Sequence, residues 1–156
     1  MIKENKLLKD FKLPSTNGKI YHLKKDLKQN LIIYIYPKDN TPGCTTESIE
    51  FAKDYKNFKK LKTDVIGISK DSIESHLKFK NKFKFPFELL SDENNKVIMK
   101  LGAWGEKSMY GKKFMGIKRT TLLINKNREI LKKWENVKVK NHVKDVLQNI
   151  LNLKKS

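Results

Sequence analysis

The stretch LIIYIYPKDNTPGCTTESIEF, residues 31–51, predicts a strand, a loop and a helix in succession. The apolar run at 31–36 is short, β-branched and aromatic, as in a buried strand. Proline, asparagine and glycine at 37–43 end that strand and form a loop. Cys44, the only cysteine of the chain, then stands where the helix begins. A thiol in that place is a candidate for chemistry.

Further strands and helices are predicted on both sides of this stretch. Asn-Gly at 17–18 lies between two short alternating runs, which predicts a hairpin over residues 11–23. Apolar residues at helical spacing extend the helix after Cys44 to about Leu61 and predict a last helix near the C-terminus. Between the first hairpin and the central strand lies a polar connection at 24–30. After the helix that follows Cys44, we predict a strand at 63–69, a helix from a cap at Asp71 to Phe83 and an extended segment at 85–90. A brief helix capped by Ser91 and Asp92 then ends near Leu101, and a loop at 102–116 and a second hairpin at 120–134 follow it.

The order of these elements predicts an α/β fold with a central mixed β-sheet flanked by helices, because strands that alternate with helices form such a sheet. No repeat, linker or shift of composition divides the sequence, so we expect a single domain over residues 1–156. Sites in these folds usually lie at the carboxyl ends of the strands. Cys44 follows the strand at 31–36 and is expected at that edge.

The composition limits the possible classes of protein. A chain with one cysteine forms no internal disulfide and no cluster of thiolate ligands for zinc. The three histidines are far apart and lack ligand spacing, so we expect no metal site. The N-terminal residues lack the apolar core of a signal peptide, and no apolar segment is long enough to span a bilayer. We therefore expect a cytoplasmic protein with no membrane partner.

The formal net charge is +18, and basic proteins often bind nucleic acid. All but two of the 35 basic residues are lysines, and they are spread over most of the chain. Proteins that read base edges cluster their cations and rely on arginine for bidentate contacts. We therefore expect no specific nucleic-acid partner, and association with DNA through the positive charge is kept as an alternative.

The surroundings of Cys44 favour a reactive thiol. A helix N-terminus presents unpaired N–H groups and a positive dipole end, and both stabilise a thiolate. Gly43 allows the backbone to approach a substrate closely, and Thr41 brings a hydroxyl group to the same loop. Pro37 and Pro42 stiffen that loop. The alternative is that Cys44 is a small, buried and inert residue, as free cysteines often are.

Pro37, Thr41 and Cys44 match the pattern P-x-x-x-T-x-x-C, which is the active-site motif of the peroxiredoxins. The longer string YIYPKDNTPGCTTE at 34–47 resembles the bacterioferritin comigratory protein, or PrxQ, subgroup. Other segments resemble that subgroup in order: FKLP at 11–14 with NG at 17–18, DS at 71–72 with His76, PF at 86–87 with LSD at 90–92, WGEKSMYGKK at 104–113 and MGIKRT at 115–120. The resemblance covers nearly the whole chain.

The resemblance implies a thioredoxin-like fold and thiol-dependent reduction of hydrogen peroxide or organic hydroperoxides, with no cofactor. In the family's pattern Cys44 is the peroxidatic thiolate, Thr41 hydrogen-bonds the peroxide and Pro37 shields the site from water. Arg119, one of only two arginines, matches the active-site arginine that stabilises the thiolate and the departing oxygen. Glu47 lies in the first helical turn and is expected to cap the helix, to orient Arg119, or both.

The chain departs from many members of the subgroup at Ile49, five residues after Cys44, where those members carry a resolving cysteine. Because no second cysteine is present, we expect a one-cysteine mechanism. An external thiol (thioredoxin, glutaredoxin or glutathione) would then reduce the sulfenic acid. A redox sensor or interaction protein that uses the same oxidisable cysteine is the alternative function. We expect a monomer, with a dimer as the alternative. We also expect His76 to lie on the solvent-facing side of its helix.

Overall fold

The computed structural model describes residues 4–155. Strands and helices alternate through the middle of the chain, as the sequence predicts. The strands are β1 (Lys12–Pro14), β2 (Ile20–His22), β3 (Asn30–Ile35), β4 (Thr63–Ser69), β5 (Glu88–Ser91), β6 (Trp104–Met109), β7 (Lys112–Ile117), β8 (Thr120–Ile124) and β9 (Ile130–Trp134). The helices are α1 (Leu23–Asp26), α2 (Pro42–Lys60), α3 (Ile73–Phe83), α4 (Lys96–Lys100) and α5 (His142–Lys155).

Strand β3 is the middle strand of a five-stranded mixed sheet with the order β5-β4-β3-β8-β9. On one side β4 runs parallel to β3, and β5 runs parallel to β4. On the other side β8 runs antiparallel to β3, and β9 runs antiparallel to β8. Helices α2 and α3 lie in the connections between the parallel strands. The predicted α/β class with a central mixed sheet is therefore correct.

The sequence of β3 explains its central place. Residues 31–35 are all buried, and they alternate between two hydrophobic clusters on opposite faces of the sheet. Leu31, Ile33 and Ile35 pack with residues of β1 and α4 on one face. Ile32 and Tyr34 pack with residues of α2, α3 and α5 on the other. Because side chains of a strand point alternately to its two faces, a strand that is apolar throughout must be covered on both.

Helix α2 has the apolar face that its periodicity predicts. Phe51 and Phe58 are buried and Tyr55 is half-buried, and the helix ends at Lys60, beside the predicted end. Both predicted hairpins are also present, as the pairs β1–β2 and β8–β9. In the first of them Gly18 has a φ of 82°, a conformation that glycine adopts readily.

The loop predicted at 102–116 is wrong, because β6 and β7 form an antiparallel hairpin there. This hairpin is a separate two-stranded sheet. Its turn residues Tyr110 and Gly111 have φ values of 52° and 79°. A tyrosine rarely adopts a positive φ, so the sequence lacks the usual turn signal. Most of the hairpin's residues are exposed, and its sequence therefore also lacks the alternation of a half-buried strand.

The remaining differences concern short helices and their ends. The polar connection predicted at 24–30 contains most of α1. Ser72, not Asp71, caps α3, because its hydroxyl oxygen accepts a hydrogen bond from the Ser75 N–H. The N-cap of α4 is Asn95, so the cap predicted at Ser91 and Asp92 is wrong, although Oδ2 of Asp92 accepts a hydrogen bond from the Ile98 N–H. Within residues 4–155 no helix combines the length and the apolar character that crossing a bilayer requires.

Candidate active site

Cys44 lies in the first turn of α2, directly after the loop that follows β3. Thr41 is the N-cap of the helix and Pro42 is its first residue. A proline is tolerated there because the first N–H groups of a helix have no partner within it. The side chain of Cys44 is only 1% exposed. The fold therefore encloses the thiol at the N-terminal end of a helix, where the dipole favours a negative charge.

Arg119 is the charged group in contact with this thiol. It directly precedes β8, and its Nη2 donates a hydrogen bond to Sγ of Cys44 at 3.3 Å. Its Nη1 donates to Oε1 of Glu47 at 2.7 Å. Burial disfavours the charged guanidinium, but Glu47 and Cys44 outweigh this effect, and the pKa of Arg119 is raised. One rigid guanidinium thus joins the thiol to a buried carboxylate.

Gly43 has a steric role in this arrangement. A Cβ atom at residue 43 would lie 3.2 Å from Nη2 of Arg119. Such a contact is tight, so the guanidinium would have to shift by a few tenths of an ångström. The absence of a side chain therefore leaves room for the arginine, in addition to the backbone approach expected from the sequence.

Glu47 is completely buried and does not cap α2. Its Oε1 accepts from Arg119, while its Oε2 has no hydrogen-bond partner. Burial raises its pKa to about 7, although Arg119 acts in the opposite direction. Two roles were expected for Glu47, capping the helix and orienting Arg119. Its contacts fit the second role.

His142 lies next to Glu47, and no sequence pattern singles it out. Its Nε2 is 3.9 Å from Oε2 of Glu47 and 2.8 Å from Oγ1 of Thr121. Burial lowers the pKa of His142 to about 4, so its imidazole is neutral at pH 7. A neutral histidine offers no charge to Glu47, and Arg119 is the cation that pairs with this carboxylate.

Thr41 and Pro37 flank the thiol in the loop. The hydroxyl of Thr41 donates to the carbonyl oxygen of Lys38 at 2.8 Å and does not contact the sulfur. Its oxygen can still accept a hydrogen bond from a bound molecule. Pro37 is half-buried and lines a cavity together with Arg119. Pro37 thus adjoins Arg119, and Thr41 directly precedes the helix that carries Cys44.

His76 is buried, so the prediction that it faces solvent is wrong. Its Nδ1 lies 2.7 Å from Oδ2 of Asp39, and its Nε2 lies 2.9 Å from the carbonyl oxygen of Leu90. His76 and Phe79 form the buried face of α3, and this i, i+3 spacing is the signal that could have identified it. Asp39 belongs to the loop before Cys44, so His76 holds that loop against α3 and β5.

Further hydrogen bonds complete the support of the loop. The hydroxyl of Tyr36 donates to Oδ1 of Asp39 at 2.6 Å, and the hydroxyl of Ser75 donates to Oδ2 at 2.8 Å. The Asp39 N–H donates to Oδ2 of Asp71. Ligand atoms of Asp39, Asp71 and His76 lie within 4.8 Å of one another, the spacing of a metal site. These oxygens already accept bonds from protein donors, so the group is built as a hydrogen-bond network.

A large cavity of the described residues does not adjoin this site. It has a volume of about 920 Å³ and lies beside the β1–β2 hairpin, between residues such as Tyr21, Tyr55 and Asp64. None of the residues that surround Cys44 lines it. The chemistry expected of this chain is therefore assigned from the thiol and its neighbours and not from cavity size.

Comparisons with known proteins identify the family and agree with the fold. Residues 5–133 match the AhpC/TSA family. Peroxiredoxin Bcp of Bacillus subtilis is 41% identical over 141 residues, which cover 90% of each chain. Peroxiredoxin Bcp of Escherichia coli is 37% identical over 150 residues, which cover 96% of each.

Solved structures show the same relationship. PrxQ of Xylella fastidiosa, a mutant form, superposes with a TM-score of 0.92 at 32% identity, and the match covers 100% of this chain and 99% of that one. The bacterioferritin comigratory protein of Xanthomonas campestris, described for its alkyl peroxide reduction activity, has a TM-score of 0.86 at 35% identity, with 91% and 90% covered. The chain therefore belongs to the AhpC/TSA family and is a peroxiredoxin of the Bcp and PrxQ type, a thiol-dependent peroxidase with a thioredoxin-like fold.

Proposed function

We propose that Cys44 is the peroxidatic residue and that the enzyme reduces hydrogen peroxide and organic hydroperoxides through a sulfenic acid on this sulfur. The observation that carries the proposal is the 3.3 Å contact between Nη2 of Arg119 and Sγ of Cys44 at a helix N-terminus. A thiolate is the nucleophilic form of cysteine, and a fixed cation stabilises it. The alkyl peroxide activity of the Xanthomonas campestris relative supports organic hydroperoxides as substrates.

The chemistry follows from the positions of three side chains. The thiolate of Cys44 attacks the terminal hydroxyl oxygen of the peroxide, and the O–O bond breaks. The sulfur becomes a sulfenic acid, and the other oxygen leaves as hydroxide or alkoxide and takes up a proton. Arg119 stabilises the negative charge as it moves from sulfur to the leaving oxygen. Thr41 accepts a hydrogen bond from the peroxide, and its own hydroxyl proton is held by the carbonyl of Lys38.

Pro37 and Glu47 have supporting roles in this proposal. Pro37, half-buried at the mouth of the site, limits the access of water to the sulfur. Glu47 holds Nη1 of Arg119 through the 2.7 Å contact, while Nη2 of the same guanidinium contacts the thiol. Gly43 leaves space for that guanidinium. A planar group held at both ends loses little entropy when the peroxide arrives.

The reductant must be an external thiol, because the chain contains one cysteine. Thioredoxin, glutaredoxin and glutathione are the candidates. A thiol attacks the sulfenic acid to give a mixed disulfide, and a second thiol releases Cys44. Without a resolving cysteine the sulfenic acid also persists longer, so oxidation to sulfinic acid competes at high peroxide concentration.

The test is peroxide turnover with the thioredoxin, glutaredoxin and glutathione systems compared side by side. We expect consumption of peroxide with at least one system, loss of turnover in Cys44→Ser, and trapping of a sulfenate on Cys44 by dimedone in the native protein. Turnover that survives in Cys44→Ser would refute the proposal. Slow oxidation followed by a stable mixed disulfide with a partner protein would instead favour the redox sensor considered from the sequence.

We also propose that the enzyme is a cytoplasmic monomer that folds as a single domain. Both hydrophobic clusters pack on the same central sheet, which supports one folding unit. The dispersed lysines support a protein without a specific nucleic-acid partner. Sedimentation of the reduced and oxidised forms tests the monomer, and a dimer in either form would contradict it. Retention on DNA at physiological salt would contradict the absence of a nucleic-acid partner.

A further inference from the structure

A second cavity, of about 420 Å³, opens beside Arg119. It lies between the β6–β7 hairpin and the connection from β9 to α5. Pro37 and Arg119 form the part of its wall nearest to the thiol. The hairpin side supplies Lys107 and Lys118, together with Glu106. A molecule in this cavity would therefore be in contact with the group that donates to Sγ of Cys44.

The side chains of the two lysines pack closely over a pair of glycines in the hairpin. Gly105 and Gly116 are directly opposite each other in the β6–β7 register. A Cβ atom at Gly105 would lie 3.0 Å from Cε of Lys118, and one at Gly116 would lie 3.2 Å from Cδ of Lys107. Each lysine stem thus crosses a glycine, and both lysines are half-buried. Stems packed in this way lose less entropy on binding a ligand than freely moving surface lysines do.

Of the cations that line this cavity, Arg119 is paired with Glu47, whereas the two lysines are not paired with a carboxylate of the described residues. Glu106 is oriented towards Lys113, at 3.8 Å, on the exposed side of the hairpin. Over residues 4–155, no carboxylate oxygen lies within 4.0 Å of the Lys107 or Lys118 ammonium group. The pKa of Lys107 is lowered, mainly by burial and then by the charge of Arg119. An anion bound between these cations would offset both effects.

We propose that this cavity is an anion subsite, in which Lys107 and Lys118 bind the carboxylate of a small thiol that reduces the Cys44 sulfenic acid. The proposal rests on the peroxidase function proposed above. The attacking form of a thiol is its thiolate, and cations near the sulfur favour both this form and a carboxylate on the same molecule. Arg119 lines this cavity and contacts Sγ of Cys44, so a small thiol bound here would lie beside the group that is hydrogen-bonded to the sulfur.

The step balances without any other reactant. The thiolate sulfur attacks Sγ of the sulfenic acid, the S–O bond breaks, and the oxygen leaves as hydroxide, which takes one proton to form water. The product is a mixed disulfide on Cys44. A second thiolate attacks the outer sulfur of this disulfide, and Cys44 leaves as the thiolate. Two thiols are oxidised to one disulfide, and the sulfenic acid is reduced by two electrons.

The test separates the two half-reactions. Cys44 is first oxidised with one equivalent of hydrogen peroxide, an uncharged oxidant, and the rate of its reduction is then measured by stopped flow. The thiols are glutathione, its diethyl ester, which lacks free carboxylates, and cysteamine, which has none. The variants are Lys107→Gln, Lys118→Gln and the double variant. The control is Lys112→Gln with Lys126→Gln, which removes the same charge from exposed positions outside the cavity.

We expect the double variant to reduce the glutathione rate constant roughly five- to tenfold, as for two partly buried charge contacts. The rates with the ester and with cysteamine should remain within about twofold, and the control should match the unmodified enzyme. S-methylglutathione, which has no thiol, should bind the reduced enzyme measurably and the double variant more weakly by a similar factor.

Three results would overturn the subsite. Equal losses with glutathione and with its ester would mean that the lysines do not bind the carboxylates. An unchanged glutathione rate would refute any role for them in reduction. A loss confined to oxidation by a carboxylate-bearing hydroperoxide would assign the anion to the peroxide and not to the thiol. If hydrogen peroxide does not oxidise Cys44 in the unmodified enzyme, the proposed function fails before the subsite is tested.

Discussion

The guanidinium of Arg119 lies 2.7 Å from the carboxylate of Glu47, and the same guanidinium reaches the sulfur of Cys44 at 3.3 Å. Both contacts use different nitrogen atoms of one planar group. A lysine ammonium is a single point charge and cannot occupy both positions. The bridge therefore explains why an arginine stands here in a chain whose other cations are almost all lysines.

Arg119→Lys should lower the second-order rate constant for oxidation of Cys44 by hydrogen peroxide by roughly a hundredfold, because one donor to the developing negative charge is lost. The measurement is stopped-flow competition with a second peroxidase. Arg128→Lys is the matched control, since Arg128 donates to the carbonyl of Leu8 and belongs to no part of the site. A rate in Arg119→Lys within about threefold of the unmodified enzyme would show that positive charge alone suffices.

Glu47 should make the free energy of unfolding fall as the pH rises. Its pKa is about 7 in the fold and about 4.5 in the unfolded chain, so the native state binds more protons between these values. The stabilising effect of the bound proton is complete below pH 4.5 and is lost as the pH rises through 7, by about 3 kcal/mol. Urea unfolding from pH 4.5 to 8 should therefore show the stability of the unmodified protein decreasing by this amount relative to that of Glu47→Gln. An identical slope in both proteins would contradict the assignment.

His142 should act in the opposite direction over an overlapping range. Its pKa is about 4 in the fold against 6.5 in the unfolded chain, so the unfolded state binds more protons between these values. Stability from this group is present above pH 6.5 and is lost as the pH falls through 4, again by about 3 kcal/mol. The unmodified protein should therefore show a nearly flat profile from pH 4.5 to 6.5. In His142→Gln the free energy of unfolding should fall with pH over this range because of Glu47. A profile that stays flat in this variant would show that His142 does not offset Glu47.

The buried pair of His76 and Asp39 should contribute far more stability than the half-exposed pair of His22 and Asp10. Both pairs have short nitrogen–oxygen contacts, of 2.7 Å and 2.6 Å. His76→Gln removes one partner of the buried Asp39 carboxylate, to which Tyr36 and Ser75 still donate, and should cost about 2–3 kcal/mol, whereas His22→Gln should cost about 1 kcal/mol or less. Urea unfolding at one pH measures both.

His76→Gln should also slow the oxidation of Cys44, since Asp39 is part of the loop that carries Pro37 and Thr41. The side chain of Asp39 holds this loop through His76, Tyr36 and Ser75. We expect a loss of roughly tenfold, as for a small displacement of positioned groups. The His22→Gln variant is again the control. A destabilised His76→Gln variant with an unchanged oxidation rate would mean that the network supports the fold and not the loop.

The local sequence was enough to predict the elements that bury apolar residues with a regular period. Strand β3 and helix α2 are examples, since their patterns of period 2 and 3.6 reflect the faces that they bury. The β6–β7 hairpin was missed because its strands are largely exposed and its turn uses Tyr110 in place of a typical turn residue. A periodicity argument detects burial and gives no signal for an exposed hairpin.

Among the site residues, too, some could be predicted from the local sequence and others could not. The position of Cys44 at a helix start was readable from the strand, loop and helix in sequence. Arg119 is 75 residues away, so its contact with the thiol is a property of the fold, and only the family resemblance indicated it. His76 and His142 were missed because burial of a polar residue depends on which partner the fold brings to it. Hydrogen-bond partners distant in sequence leave no local pattern.

Thr41 provides the last test, since its hydroxyl proton is already donated to the carbonyl of Lys38. If the hydroxyl oxygen accepts a hydrogen bond from the peroxide, Thr41→Val should lower the rate of Cys44 oxidation roughly tenfold. Thr41→Ser retains the hydroxyl and should remain within about threefold. The alternative is that the hydroxyl only holds the loop through the carbonyl of Lys38, in which case valine would reduce stability and leave the rate unchanged. Measuring stopped-flow oxidation and urea unfolding on both variants separates the two roles, because only the catalytic one distinguishes serine from valine in the rate.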